Sequence, residues 1–211
     1  MKSASSNSLP NRFERRRERT RQELLAAAVR VLARKGLHHT KVTDIAAAAD
    51  IGVGTFYLHF PTKDALFDAV VDETMQRLKQ VVDAARAAAA DPIEESRAAT
   101  AALCRFALQN REVFKIVFGH AAAYNEVIRR AQGFFAADIE KSIRDGIERG
   151  VFVEVSPALA AQAMVGMATQ MLSWWTDHES VPIDVLEDTI ITLALPGLLT
   201  RGTNRGGTTN G

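Results

Sequence analysis

"KVTDIAAAADIGVGTFYLHFPTKDALF" runs from Lys41 to Phe67. Two short helical patterns flank a turn in it. Val42 to Ala49 makes barely two turns. "TFYLHF" makes another short piece before Pro61, whose ring keeps the preceding residue out of the α region. A helix of two turns cannot stand alone in water. Two of them, joined by the Gly-containing "DIGVG" and clamped between longer helices, read as a helix-turn-helix unit. In such a unit the second short helix enters the DNA major groove and the first lies across the backbone.

The neighbouring segments supply the clamp. "TRQE", Thr20 to Glu23, fits a capping box and predicts a helix start at Thr20. Leu24, Leu25, Ala28, Val31 and Leu32 follow at helical spacing. "RKG", Arg34 to Gly36, ends the run with cations for the last carbonyls and a glycine for the left-handed residue after them. Downstream, Thr62 is placed to cap one long helix reaching into the alanine run before Asp91, with Leu66, Val70, Leu78 and Val81 on its buried face. After Pro92 the pattern predicts helices at about 93–109, 111–119, 123–149, 157–177 and 183–199, with Pro196 kinking or ending the last. "VFVEV", Val151 to Val155, is the one strand-like piece; it lies between helical patterns and is expected to be a loop.

The chain has 211 residues, 47% hydrophobic and 24% charged, an ordinary globular balance. Its net charge of +1 argues by itself against a nucleic-acid partner. The distribution argues the other way. Residues 1–63 hold 12 Lys or Arg against 5 Asp or Glu, and residues 64–211 hold 14 against 20, so the two parts carry +7 and −6. A basic first third on an acidic remainder suggests an anionic polymer bound at one end; a solvated basic tail is the plainer alternative. The single Cys104 allows no intrachain disulfide, so the fold must stand on packing. No apolar run of about 18 residues suggests a membrane span, and the opening residues lack a secretory core. The expectation is a soluble cytoplasmic protein. "HExxH", a phosphate loop and a nucleophile elbow are absent, His38 and His39 lack neighbours spaced for a metal, and no enzyme, metal or cofactor is expected.

"VTDIAAAADIGVGTFYLHFPTKDALFDAV", with the capped helix before it, resembles the N-terminal signature of the TetR/AcrR family of bacterial transcriptional regulators. Ile45-Ala46, Ala49, Ile51, Gly54-Thr55-Phe56-Tyr57, His59-Phe60, Lys63 and Leu66 carry the match, in register from about Thr20 to Val70. The resemblance implies an all-α fold: a three-helix helix-turn-helix domain over residues 15–61, joined by a long helix to a helical ligand-binding and dimerisation domain over 62–200. A disordered basic arm, 1–14, and a disordered Gly/Thr/Asn-rich tail, 201–211, complete the expected division.

Candidate DNA contacts follow from chemistry and from this resemblance. Gly54 lacks a Cβ and lets the backbone approach DNA. Thr55 offers a hydroxyl at the same helix start. Tyr57 can present its OH to a phosphate with its ring packed inward. His59 lies one turn past Thr55 on the same face, where phosphate contact and simple packing are both open. Lys63 can pair with a phosphate at the groove edge, and Thr43 can meet the opposite backbone. Four positions depart from the family pattern. Asp50 stands where glycine is usual, and Asp tolerates the left-handed region. Gly52 and Val53 stand where polar or basic residues are common, leaving Val53 a thymine methyl as its contact. Lys41 stands where Thr often caps; Thr40 or Thr43 can cap instead, and Lys41 can meet phosphate. Arg15, Arg16, Arg17, Arg19 and Arg21 either extend the first helix or trail along a groove.

One recognition helix covers a few base pairs, so tight binding calls for a two-fold homodimer on double-stranded operator DNA. Two apolar stripes offer the surface: Met164, Met167 and Met171 on one helix, and Leu186, Ile190 and Leu193 on the next. The same residues can close the domain's own core. The resemblance further implies a small-molecule effector bound in the C-terminal domain, most simply an apolar one that releases a repressor from its operator. Phe106, Phe114, Phe118, Phe134, Phe135, Trp174 and Trp175 can line that pocket or form ordinary core. A constitutive DNA-binding factor without a sensor is the competing reading.

Overall fold

A computed structural model describes residues 11–119 and 125–199, with the side chains of residues 119, 125–131 and 134 outside that description. Among the described residues the chain forms nine helices and no named strand: α1 (Arg12–Lys35), α2 (Val42–Ala48), α3 (Val53–His59), α4 (Lys63–Ala87), α5 (Pro92–Gln109), α6 (Arg111–Gly119), α7 (Asn125–Glu148), α8 (Pro157–Asp177) and α9 (Ile183–Ala194). They divide into two compact units, residues 1–74 and 75–211. The division falls inside α4, past the boundary expected at Pro61; Leu66, Phe67, Val70 and Val71, on the first unit's side of it, are buried.

In the first unit α1 starts at Arg12, not at Thr20. Asn11 Oδ1 accepts from Glu14 N–H at 2.9 Å, and Glu14 Oε2 accepts from Asn11 N–H at 2.7 Å. That capping box lies upstream of the expected one, so Thr20 sits inside the helix and residues 11–14 are ordered. The rest of the expected arm and the expected tail, 201–211, lie outside the described residues. Leu24, Leu25, Ala27, Ala28, Val31 and Leu32 bury one face of α1. Arg34 and Lys35 meet its C-terminal end, and Gly36 follows with φ 70°. The turn into α2 is pinned by Thr40, whose hydroxyl donates to Gly36 O at 2.7 Å, so Thr40 is not the cap of α2. Asp44 supplies that function in reverse, accepting from Lys41 N–H at 3.0 Å. Lys35 Nζ also lies 3.0 Å from Asp44, and the bond from Lys41 N–H with this cation holds the Asp44 carboxyl below its ordinary pKa.

In the second unit α8 packs on α6, α7 and α9, and α5 packs on α9. Leu78, Val82, Phe106, Phe114, Leu172, Trp175 and Leu186 form its main core. Val81, expected in that core, is 45% exposed; Val82 takes its place at 5%. Arg111 ties α6 to the end of α8: its guanidinium donates to Trp175 O at 2.7 Å and lies 4.1 Å from the centre of the Trp175 ring. The expected loop at 151–155 does more than connect. Phe152 is buried beneath α7 and makes an isolated bridge to Leu199, with Val153 N–H donating to Leu198 O at 2.7 Å. α9 ends at Ala194, ahead of Pro196, as proline requires. Cys104 is fully buried, and burial with the nearby Glu187 charge pushes its thiol up to about 12, which makes it packing and not chemistry.

Candidate nucleic-acid interface

One residue sets the angle between α2 and α3. Asp50 follows α2 at φ 55°, the left-handed region that Asp enters more cheaply than most residues. Its N–H reaches Ala47 O at 3.1 Å, and Ile51 N–H reaches Ala46 O at 3.0 Å, closing the end of α2. Gly52 then starts α3 in extended backbone. Ile45, Ala46, Phe56 and Phe60 are buried and fix both short helices to the unit; Ala49 and Ile51 are half-buried.

With Phe56 facing in, α3 has another side to present. Val53, Gly54, Tyr57 and Leu58 are exposed, and their spacing places them on one face. Leu58 is 75% exposed and was not among the residues expected to act. Its signal was available: it stands four positions after Gly54 and off the Phe56–Phe60 face. Tyr57 differs from expectation. It is 55% exposed, meeting Phe56 only edge to face at 5.4 Å between ring centres, so its ring as well as its hydroxyl is open to a partner. A Cβ added to Gly54 would meet nothing within 4 Å. Nothing among the described residues demands glycine there, although glycine costs a helix about 1 kcal/mol against alanine.

The other candidates surround this face. Lys41 and Thr43 are exposed at the start of α2, and Thr55 is half-buried on α3. His59 is half-buried at the end of α3. Its pKa lies below the ordinary histidine value, first through desolvation and then through the Arg17 and Arg21 charges, with Glu18 opposing. Those charges place the basic start of α1 beside the end of α3. Arg15, Arg16 and Arg17 are exposed there. Arg21 is committed inside the unit: it pairs with Glu73 and lies 5.5 Å from the centre of the Phe60 ring. Lys63 is also largely committed. Its ammonium donates to Leu37 O at 2.6 Å and Thr40 O at 2.9 Å, so the expected phosphate contact has only its third N–H.

The second unit holds an apolar cavity of about 150 Å³. Phe114, Phe118 and Phe135 line it, as do Leu78, Val82, Leu103 and Leu172. Three other aromatic candidates lie elsewhere. Phe106 and Trp175 are buried in the core, where Trp175 Nε1 donates to Val181 O at 3.0 Å. Trp174 is 50% exposed and stacks on His178 with ring centres 3.7 Å apart. The Phe134 side chain lies outside the described residues. The candidate dimer stripes are redistributed in the same way. Met164, Met167 and Ile190 line the cavity, Met171 packs on the core, and Leu186 is 4% exposed. Of these six only Leu193 is open, at 61%. Both helices are apolar over more than one face, and the inward faces took the methionines. Leu159, Trp174, Val185 and Leu193 are the large apolar residues that α8 and α9 leave exposed. Among the described residues no helix is long and apolar enough to cross a membrane, and no three His, Cys, Asp or Glu gather as a metal site.

Residues 24–70 match the family model of bacterial regulatory proteins of the tetR family, and residues 89–198 match the tetracyclin repressor-like C-terminal domain. The chain belongs to the TetR family. As a TetR-family protein it is a transcriptional regulator with a helix-turn-helix DNA-binding domain. It is 27% identical over 165 residues to the uncharacterised HTH-type transcriptional regulator YhgD of Bacillus subtilis (strain 168), covering 76% of this chain and 86% of that one. It is 26% identical over 187 residues to the HTH-type transcriptional repressor KstR2 of Rhodococcus jostii (strain RHA1), covering 84% and 90%. The TetR fold is shared with the fatty acid degradation regulator FadR from Bacillus halodurans, at TM-score 0.78 and 21% identity, covering 83% of this chain and 94% of that one.

Proposed function

We propose that this cytoplasmic TetR-family regulator is a homodimeric repressor, released from its operator by a small, largely apolar ligand bound in the cavity of the second unit. The observation that carries the DNA half is the open face of α3. Val53, Gly54, Tyr57 and Leu58 stand clear of the core, and Gly54 has no neighbour that explains it. Val53 and Leu58 offer apolar contact to thymine methyl groups, Tyr57 its hydroxyl, and Gly54 close approach of the backbone. Lys41, Thr43, Thr55, His59, the third N–H of Lys63 and the exposed Arg15, Arg16 and Arg17 supply phosphate contacts that position the helix. The repressor sense is supported by the relative named as one, and the ligand by the cavity and by the fold shared with a regulator of fatty acid degradation. For the dimer, the exposed apolar residues of α8 and α9 give a surface of the kind that marks association. α4, which runs from Lys63 to Ala87, is the element through which a ligand would act on the recognition helices.

The test is a titration of the purified protein against duplexes selected from a random pool, at several salt concentrations, with a scrambled duplex as control. Two subunits on the selected site, bound at least ~10³-fold tighter than the control, is the expected result. Equal binding to both duplexes with a steep salt dependence would reduce α3 to an electrostatic grip and end the reading.

A further inference from the structure

The cavity is apolar almost all round, yet one charged side chain lines it. Arg86, at the end of α4, has a side chain only 17% exposed, and its Nε is buried with no hydrogen-bond partner among the described residues. Glu95 Oε1 stands 4.0 Å from that nitrogen, beyond hydrogen-bond length, and accepts instead from Ser142 Oγ at 2.9 Å. Among the other polar side chains on this wall, Ser96 donates to Pro92 O and Thr100 to Ser96 O, which leaves those two hydroxyls lone pairs and no proton for a guest; Gln132 and Thr169 are the remaining polar residues of the lining, and neither carries a charge. A buried guanidinium N–H without an acceptor is costly, and a guest that brings an oxygen to it removes that cost.

We infer that Arg86 reads the oxygen end of the ligand: the guest is a short acyl compound, its chain in the cavity and its carboxylate or thioester oxygen accepting from Arg86 Nε. This rests on the reading of the cavity as the effector site. A volume of about 150 Å³, at roughly 30 Å³ for each water-sized group, holds a chain of about five heavy atoms. A charge-assisted bond to the guanidinium adds the selectivity that apolar walls cannot give. Glu95 beside Arg86 works against a second negative charge close by, so of the two acceptors the neutral thioester oxygen is favoured over the carboxylate.

Calorimetry on the full-length protein with hexanoate, hexanoyl-coenzyme A and 1-chloropentane decides it, the last having a chain and no oxygen. One of the two acyl compounds is expected to bind at least tenfold tighter than 1-chloropentane. Hexanoate ahead of its thioester assigns the free acid, and the reverse order the thioester. Arg86→Met should lose at least tenfold for that acyl compound and leave 1-chloropentane within threefold; Arg86→Lys should recover part of the loss. If Arg86→Met does not fold, the three-ligand comparison on the unaltered protein stands alone. Equal affinity for all three ligands, no loss in Arg86→Met, or no binding of either acyl compound overturns the inference. Release of the selected duplex is read in parallel. Acyl binding without release would keep the role of Arg86 and sink the effector reading; release by 1-chloropentane as readily as by hexanoate would do the opposite.

Discussion

If Gly54 meets DNA as proposed, stability and function pull in opposite directions there. The position is helical, its surroundings are empty, and alanine is the better helix former. Gly54→Ala should therefore raise the stability of the first unit by about 0.5–1 kcal/mol in urea unfolding, while weakening operator binding at least tenfold. Unchanged DNA affinity would remove the only reason found for the glycine. His59 gives a second test with a sign. Its folded pKa is depressed, so its neutral form favours folding at and above about pH 6.5, and that contribution is lost as pH falls through the folded value. A DNA phosphate beside it would favour the cation instead. Between pH 8 and pH 6 the wild type should thus gain operator affinity as it loses stability, relative to His59→Gln on both counts. Parallel pH profiles of the two proteins in DNA titrations would return His59 to simple packing.

At the scale of the element, the loop from Gly36 to Lys41 depends on a side chain distant in sequence. The Lys63 ammonium, at the start of α4, holds Leu37 O and Thr40 O. Lys63→Met removes two charge-assisted bonds and leaves both carbonyls part-buried, so a loss of about 2–3 kcal/mol is expected in denaturant unfolding. A loss under about 0.5 kcal/mol would mean that water replaces the ammonium. α7 carries a comparable dependence. A Cβ at Gly146 would run into the Phe152 ring, so Gly146→Ala must move that ring, which is buried in the segment that bridges to Leu199. The melting temperature of Gly146→Ala should fall by several degrees, since overpacking costs about 1–3 kcal/mol; an unchanged melt would show that the ring turns aside freely.

At the scale of the whole molecule, the proposed dimer rests on what α8 and α9 leave uncovered. Leu193 is the most exposed large apolar residue of α9, at 61%. Leu193→Glu should leave the fold intact, shift the sedimenting species from two chains to one, and reduce the operator complex to half-site affinity. A dimer that survives Leu193→Glu would move the interface off this face. The cavity and this exposed face share α8 and α9, since Met164, Met167 and Ile190 turn inward from the helices that carry Trp174 and Leu193 outward.

Local rules made the first unit legible. Helical spacing, Pro61, the C-terminal Gly36, an Asp able to take a left-handed turn and the run from Ile45 to Leu66 are statements about a few consecutive residues, and they were sufficient for helix-turn-helix, TetR family and an inward Phe56. The same local reading placed the start of α1 at Thr20, because two capping boxes compete and the upstream one at Asn11 prevailed. What three-dimensional packing alone decided concerns residues far apart in the chain. Lys63 turned to the α1–α2 loop, Arg21 to Glu73 and Phe60, and Phe106 and Trp175 into the core, while Phe114 and Phe118 reached the cavity wall. On helices that are apolar on more than one face, periodicity says that a side is buried but not against what; that choice belongs to the neighbours that tertiary structure brings.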